Sequence, residues 1–545
     1  MRSSRSSAGV ESIGVSNFKA FGKMATLQLR PITLIYGENS SGKSSLIQSL
    51  LMLKQSAAEP LADLPPTLAS KGSLVNLGSH RELVHRHETA RGLTIEATIR
   101  PRPSALPPAL RKTSLPMRLR FAFAADRRSS RPLLEQVALL NPDSAEPIIT
   151  FAVSDATSDG KSQLPVRGAA NRRYALRVSE INHRHPVWGA VAATARGQEL
   201  AQLRSRFEAM RTTREQIAQT MNLAAASADW LEISRNLEDL DTQIAELDAA
   251  LRDTPSIIVD EGDAASWAAG YSHVYLLLRS FIPAEVARNP GNQSLILGER
   301  DSGPLAVWRL VQSLGALLEE YLDSISYLGP LREMPDRIYI HSGDERIDVG
   351  KAGERTPDLM FRNPELVARL NDRLTRFDLG YRFEVSAAAG PVGDLRDVFA
   401  LRLIDQRTRV NVGLADVGFG VSQVLPILVQ SLLSKGRTLL IEQPEIHLHP
   451  RLQAELGSVI AEATQAPHSN RYVIETHSEH LLLRLQRLIR EGRLDPSSVS
   501  VAYVHKGRWA SSVIPMPLGD DGQLLSPWPG GFFEEGFREV FGVAG

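Results

Sequence analysis

The chain has 545 residues, 43% of them hydrophobic and 23% charged, with 62 Lys and Arg against 62 Asp and Glu. That length exceeds one usual domain and favours two to four structural units, while the zero formal charge removes any global electrostatic case for nucleic acid or a membrane surface. Cysteine is absent, which excludes disulfides, thiolate zinc sites, iron–sulfur clusters and a cysteine nucleophile.

No apolar run approaches the length of a membrane span, and residues 1–10 form a polar tail without an apolar signal core, so a cytoplasmic location is expected. Two strands around a turn are predicted over 11–23 and 25–29. The run Ile32-Thr-Leu-Ile-Tyr36 then opens into Gly37-Glu-Asn-Ser-Ser-Gly42-Lys43-Ser44, a complete G-x-x-x-x-G-K-S pattern. Glycines let a backbone wrap closely around an anion, and consecutive N–H groups and a helix N-terminus point at it. Lys43 is placed to reach the β- and γ-phosphates, and the Ser44 hydroxyl to ligate Mg2+. Residues 45–54 read as the helix that must follow, which sets the pattern apart from a plain Gly-rich turn. The candidate nucleotide contacts are Gly37, Asn39, Ser40, Ser41, Gly42, Lys43, Ser44 and Ser45.

Residues 73–84 and 93–99 are expected to continue a strand-rich region. Residues 100–131 concentrate Arg and Pro, and Arg118–Ala124 alternates as a half-buried strand does. Those arginines fit a phosphate-contacting surface, or, more simply at zero net charge, a solvated strand face. Residues 198–252 lose nearly all Gly and Pro, and Leu200, Leu203, Phe207, Met210, Ile217 and Met221 fall on heptad repeats that resume at Ile233, Leu237, Leu240 and Ile244. A short antiparallel helical hairpin is expected, with two helices packed inside a globular domain as the alternative. Trp308–Leu322 reads as an amphipathic helix, and 341–357 as a loop.

A second chemical cluster follows. Leu414-Ala-Asp-Val-Gly418-Phe-Gly420-Val-Ser422-Gln423 heads an apolar helix with exposed N–H groups and a hydroxyl, again an anion site, although two glycines can also be a plain turn. Thr438-Leu-Leu-Ile-Glu442 is a buried strand ending in an acid, the pattern that holds Mg2+ beside a phosphate loop. It continues as Gln443-Pro-Glu445-Ile-His447-Leu-His449-Pro450, and Arg471-Tyr-Val-Ile-Glu475-Thr-His477 is another strand ending in a histidine. His447 and His449 alternate as metal ligands can, but a contact loop is the simpler reading for a chain without cysteine.

On these residues, together with Asn17-Phe-Lys-Ala-Phe21, the chain resembles the ATP-binding-cassette-like heads of chromosome-maintenance and double-strand-break-repair ATPases. It is more closely similar to bacterial ATPases related to the overcoming-lysogenization-defect proteins. The tail from Trp528 resembles an uncharacterised C-terminal domain attached to such ATPases. The resemblance implies an α/β, ABC/SMC-head-like P-loop NTPase with a mixed sheet and a short helical hairpin insertion. The domains expected from it are a tail (1–10), an N-terminal lobe (11–190), the hairpin (191–256), a helical linking region (257–395) and a C-terminal lobe (396–545). Two heads are implied to sandwich Mg-ATP, so that Gly418, Gly420, Ser422 and Gln423 meet the nucleotide held by the opposite protomer, with Lys19 among the cofactor contacts. Glu442 is then the metal-site acid, and His477 the sensor of the γ-phosphate. The implied partners are a second copy of the chain and an effector such as a nuclease in anti-phage defence or DNA maintenance; a DNA-end or repair sensor is a further reading, with the arginines of 100–131 as its only support. No acidic cluster of a toprim nuclease follows His477.

One position departs from the family pattern. Aligned on Pro444, the residue that normally supplies the general base is Gln443, an amide that orients water but cannot take its proton. Losing a general base costs about 10²- to 10⁴-fold, so slow hydrolysis is expected unless Glu445 substitutes. A scaffold that binds ATP without hydrolysing it is the competing reading.

Overall fold

The structure is a computed structural model that describes residues 9–58, 67–102, 116–125, 131–141, 146–155, 174–182, 200–201, 203–213, 215–216, 228–252, 274–275, 304–376, 380–387 and 397–533. At its centre is a six-stranded sheet, in the spatial order Ile325–Leu328, Thr438–Glu442, Arg471–Glu475, Ile32–Gly37, Val499–Lys506 and Ser511–Pro515. The first five strands run parallel and only the last pair is antiparallel. Short apolar runs without alternation belong in such a sheet, because helices cover both of its faces.

The pleat sends successive side chains to opposite cores. Ile35, Leu440 and Val473 enter one core, with Leu46, Leu50 and Leu53 of the helix Lys43–Ala58. Leu34, Ile441 and Ile474 enter the other, with residues of the helices Pro364–Arg376, Phe419–Leu433, Pro450–Ala463 and Glu479–Arg490. The same alternation carries Glu442 and Glu475 to the face of the phosphate-loop helix. The strand Arg471–Glu475 lies between the loop strand and Thr438–Glu442, so Glu475 stands nearer the loop than Glu442 does.

The first core is closed by an eight-stranded antiparallel sheet, in the order Ala25–Gln28, Gly9–Ser16, Leu93–Arg100, Met117–Ala125, Pro132–Leu140, Pro147–Asp155, Tyr174–Ile181 and Val274–Tyr275, and by the helix Pro304–Ser324. Leu119, Phe121 and Phe123 point inward. On the other face Arg118 and Arg120 both pair with the buried Glu96, at 3.6 and 2.6 Å. Arg100 pairs with Glu11 and Arg102 with Glu320. The remaining arginines between residues 103 and 130, apart from Arg118 and Arg120, lie outside the described residues.

The reading of 73–84 as strand is corrected. Ser79-His-Arg-Glu82 forms a capping box that starts the short helix His80–Leu83. A Ser three residues before Glu offers the backbone a local hydrogen-bonded alternative to a strand ladder. The helix Ala228–Arg252, about 37 Å long at 1.5 Å per residue, lies where the second arm of the hairpin is expected, and the described residues of 200–216 are helical. Leu200, Leu203, Leu237 and Leu240 are buried at their heptad positions. Ile217, Met221 and the tip lie outside the described residues, as do the polar tail through residue 8 and everything beyond Phe533. Strands Tyr339–Ile340, Tyr381–Ala387 and Asn411–Gly413 all pair antiparallel with Val398–Asp405 in a third sheet.

Candidate functional site

The phosphate loop leaves the C-terminal end of its strand through three left-handed residues, Gly37 (φ 146°), Ser40 (φ 60°) and Gly42 (φ 105°). A Cβ on Gly37 would lie 2.4 Å from the Val504 carbonyl oxygen, and one on Gly42 would lie 2.9 Å from Ala20 Cβ. Both glycines are therefore required twice, by backbone conformation and by space. The close neighbour of Gly42 belongs to the turn Asn17–Phe21, where Phe18 and Phe21 pair with each other. Lys19 sits in that turn at φ 50° and donates to the Leu77 carbonyl at 3.3 Å; burial lowers its pKa.

Lys43 is buried at the start of the helix, and its Nζ donates to the carbonyls of Gly37 and Glu38 at 2.9 Å each. Burial lowers its pKa, opposed by Glu475, Glu445 and Glu38. The Ser41 hydroxyl is buried without a partner. Asn39 and Ser40 are exposed, whereas Ser44 and Ser45 are half-buried on the first turn of the helix.

The neighbouring strand ends supply the acids. Glu442 is buried and accepts a 2.8 Å hydrogen bond from the Tyr327 hydroxyl. Burial pushes its pKa up to about 7, with Glu475 adding to the rise while Tyr327, Lys351 and Arg332 oppose it. Arg332, also buried, donates to the main-chain oxygens of Glu442 and Gln443 at 3.0 and 3.3 Å, fixing the end of that strand. Burial lowers the guanidinium pKa to about 10. Gln443 stands at φ 47° and its N–H donates to the Glu475 carbonyl at 2.7 Å.

Glu445 accepts from the Thr476 hydroxyl at 2.7 Å and from the His477 N–H at 2.6 Å. Both carboxylate oxygens thus brace the turn that carries His477. The His477 Nε2 is buried without a partner; burial and then Lys43 lower the ring's pKa, favouring the neutral form. Tyr36, on the loop strand, donates to the Ser478 carbonyl at 2.9 Å. Its ring packs against Trp528 and Phe533, and Phe532 reaches His477 with ring centres 6.2 Å apart.

The structure therefore gathers the loop, Glu442, Glu445 and His477 at one edge of one sheet. Oxygen ligands from Ser44 and the buried acids suit a hard cation such as Mg2+, which binds through one or two carboxylates plus phosphate oxygens.

The Gly418–Gln423 turn belongs to the opposite layer. Gly418 caps the helix Phe419–Leu433, whose apolar residues enter the second core. Gly418 is exposed, and a Cβ placed on it would have no neighbour within 4 Å, whereas one on Gly420 would lie 3.0 Å from the His447 carbonyl oxygen. Ser422 and Gln423 are buried. Asp416 forms a two-pronged ion pair with Arg337 at 2.7 and 3.0 Å. His449 caps the helix Pro450–Ala463 by accepting from the Arg451 N–H, and His447 is exposed at φ 63°. Among the described residues no group of three His, Asp or Glu is placed to hold a metal.

Two site residues, Tyr327 and Arg332, escape the sequence reading, and a third, Glu475, has no role in it. Tyr327 and Arg332 carry no motif, and only the parallel pairing of Ile325–Leu328 with Thr438–Glu442 brings them to the acid. Glu475 is visible in the sequence as a strand-end acid, but its polar surroundings follow only from the sheet order.

Residues 257–484 match the family model described as "AAA domain, putative AbiEii toxin, Type IV TA system". The match spans under half of the chain and includes Glu442, Glu475 and His477, while the phosphate loop lies before it. No curated protein matches. Among solved structures, the chain is similar to an Smc head domain with an extended coiled coil, bound to the C-terminal domain of ScpA, from Pyrococcus furiosus. That match has 10% identity, covers 98% of this chain and 99% of that one, and has a TM-score of 0.35. The SMC head domain of Thermotoga maritima matches at 9% identity over 94% and 100%, with a TM-score of 0.33. An Smc head with a coiled coil and joint from Pyrococcus yayanosii matches at 10% over 95% and 98%, with a TM-score of 0.35. Superpositions at these scores carry no weight beside the chain's own topology. A phosphate loop, an acid strand and a third parallel strand between them give the chain an α/β fold of the P-loop NTPase kind. Among the described residues no helix is long and apolar enough to cross a membrane.

Proposed function

We propose that the chain binds Mg-ATP at the Gly37–Ser45 loop, hydrolyses it slowly, and joins a second copy of itself across the nucleotide to control a partner effector. One observation carries the reading. The loop, Glu442 and the partnerless Nε2 of His477 converge at the C-terminal edge of the parallel strands of one sheet, where α/β proteins bind their ligands. Ser44 and Glu442 hold the metal in this reading, and Lys43 exchanges the carbonyls of Gly37 and Glu38 for phosphate oxygens.

Slow turnover follows from Gln443 at the usual base position and from the commitment of both Glu445 oxygens to Thr476 and His477. Glu445 is then a positioning residue for His477. The open Gly418 turn is the surface offered to the nucleotide of the second copy. By the family resemblance, the effector is a nuclease or other toxin in anti-phage defence or DNA maintenance. Gln443 equally supports a second reading, in which bound ATP only holds a scaffold together.

The test is steady-state ATP turnover of the purified chain beside Lys43→Ala and Glu445→Gln, with assembly mass measured with and without Mg-ATP. The proposal expects turnover below about one per second, the low end for ordinary enzymes, its loss in Lys43→Ala, and an ATP-dependent dimer. A stable ATP-bound dimer without turnover selects the scaffold. Failure of the wild-type chain to bind ATP ends both.

A further inference from the structure

The two buried acids pose a problem that the protein alone leaves unsolved. Glu442 and Glu475 are direct partners in a parallel ladder, where neighbouring strands lie about 4.8 Å apart. By strand alternation both face the helix that carries Ser44. Glu475 is only 4% exposed, and its Oε2 has no hydrogen-bond partner. Among the described residues, no Lys or Arg lies within ion-pair distance of either carboxylate. The nearby cations are engaged elsewhere, Lys43 with the carbonyls of Gly37 and Glu38, Arg332 with those of Glu442 and Gln443, and Lys351 with that of Leu74. Burying a carboxylate without a counter-charge is costly, and a like charge beside it adds to that cost.

We propose that Glu475 is a second acid of the magnesium site, sharing the cation with Glu442 and with the Ser44 hydroxyl. The inference rests on the Mg-ATP reading above and adds a ligand to it. The Ser44 hydroxyl is near enough to the Glu475 carboxylate to oppose the rise in pKa that burial causes there, so the hydroxyl that the loop offers to the metal and the unassigned acid are neighbours. A divalent cation there meets both carboxylates with opposite charge and gives the partnerless Oε2 a ligand. Phosphate oxygens fill the positions that two carboxylates and one hydroxyl leave open. The position differs from that of a water-activating base. Glu475 lies under the first turn of the loop helix, whereas Gln443 occupies the base position at the end of the next strand.

The test titrates Mg2+ into the full chain with a fluorescent ATP analogue bound in EDTA, comparing wild type with Glu475→Gln. Glu475→Gln is expected to raise the Mg2+ concentration at half-effect by about tenfold or more, the scale of losing a supporting group at a metal site. Analogue binding in EDTA should be retained, and the rise in melting temperature caused by Mg2+ with the analogue should shrink. An unchanged Mg2+ midpoint overturns the proposal, and if turnover is nevertheless lost, Glu475 acts on water instead. Should the Gln variant fail to fold, Glu475→Asp keeps the charge but shortens the reach, and its midpoint must also rise. If wild type binds no analogue at all, the Mg-ATP reading fails and this inference with it; if it binds and the midpoint stays, only the second acid falls.

Discussion

The glycine turns at the N-termini of the helices Lys43–Ala58 and Phe419–Leu433 are built in opposite ways. The phosphate loop is held from within. Val504 and Ala20 crowd Gly37 and Gly42, the loop backbone is left-handed at three positions, and Lys43 ties the loop to its own carbonyls. At the other turn Gly418 has φ −54°, an angle any residue adopts, and open space where a side chain would stand. Nothing inside the described fold demands a glycine there. A glycine that the fold requires reports on local geometry; a glycine at an open helix N-terminus fits the approach of another molecule, which is why the proposal assigns it to the second copy's nucleotide.

The sharpest way to break this comparison is Gly37→Ala. The added methyl meets the Val504 carbonyl and the backbone stays left-handed, so a loss of about 3 kcal/mol or more is expected, together with loss of ATP binding, read by thermal melting and nucleotide titration. A variant that melts like wild type would mean that the loop is not held from within.

Of similar size is a pH effect at the same edge. In the folded chain without metal, Glu442 keeps its proton up to about pH 7, against an ordinary value near 4.5. Between those values the folded state holds the extra proton, so stability falls as pH rises through the window, by up to about 3 kcal/mol from this group. Melting in EDTA should show the fall, and Glu442→Gln should flatten it.

Next comes Glu445→Ala, which strips the acceptor from Thr476 and the His477 N–H. About 1–3 kcal/mol of stability is expected to go, and any turnover should drop with it, measured by melting and by phosphate release. The smallest effect on the isolated chain is expected from Gly418→Arg, within about 0.5 kcal/mol for a surface change. ATP binding should persist while the ATP-dependent dimer is lost on sizing. Dimerisation that survives this variant would remove Gly418 from the interface.

Much of the fold is legible in the sequence because its signals are local. The loop glycines, the apolar runs 32–36 and 438–442 and the alternation at 118–124 each report the environment of their own neighbours. Ser73–Val84 misleads for the same reason, since its hydropathy outweighs the capping pair Ser79 and Glu82 seen in the structure. The arginines of strand 117–125 leave a phosphate-contacting surface open in the sequence, beside the simpler solvated strand face, because their partner, Glu96, lies on another strand.

By itself, the sequence determined that a phosphate loop, an acid strand and a histidine strand exist, since a glycine's freedom, a run of branched residues and a terminal carboxylate are properties of short segments. Only the tertiary structure decided that Arg471–Glu475 is inserted between the other two strands, that Glu475 thereby lies against Glu442 and Ser44, and that Tyr327 and Arg332 close over the acid. Sheet order is set by which faces bury most apolar surface across hundreds of residues, and no short stretch of chain contains that information.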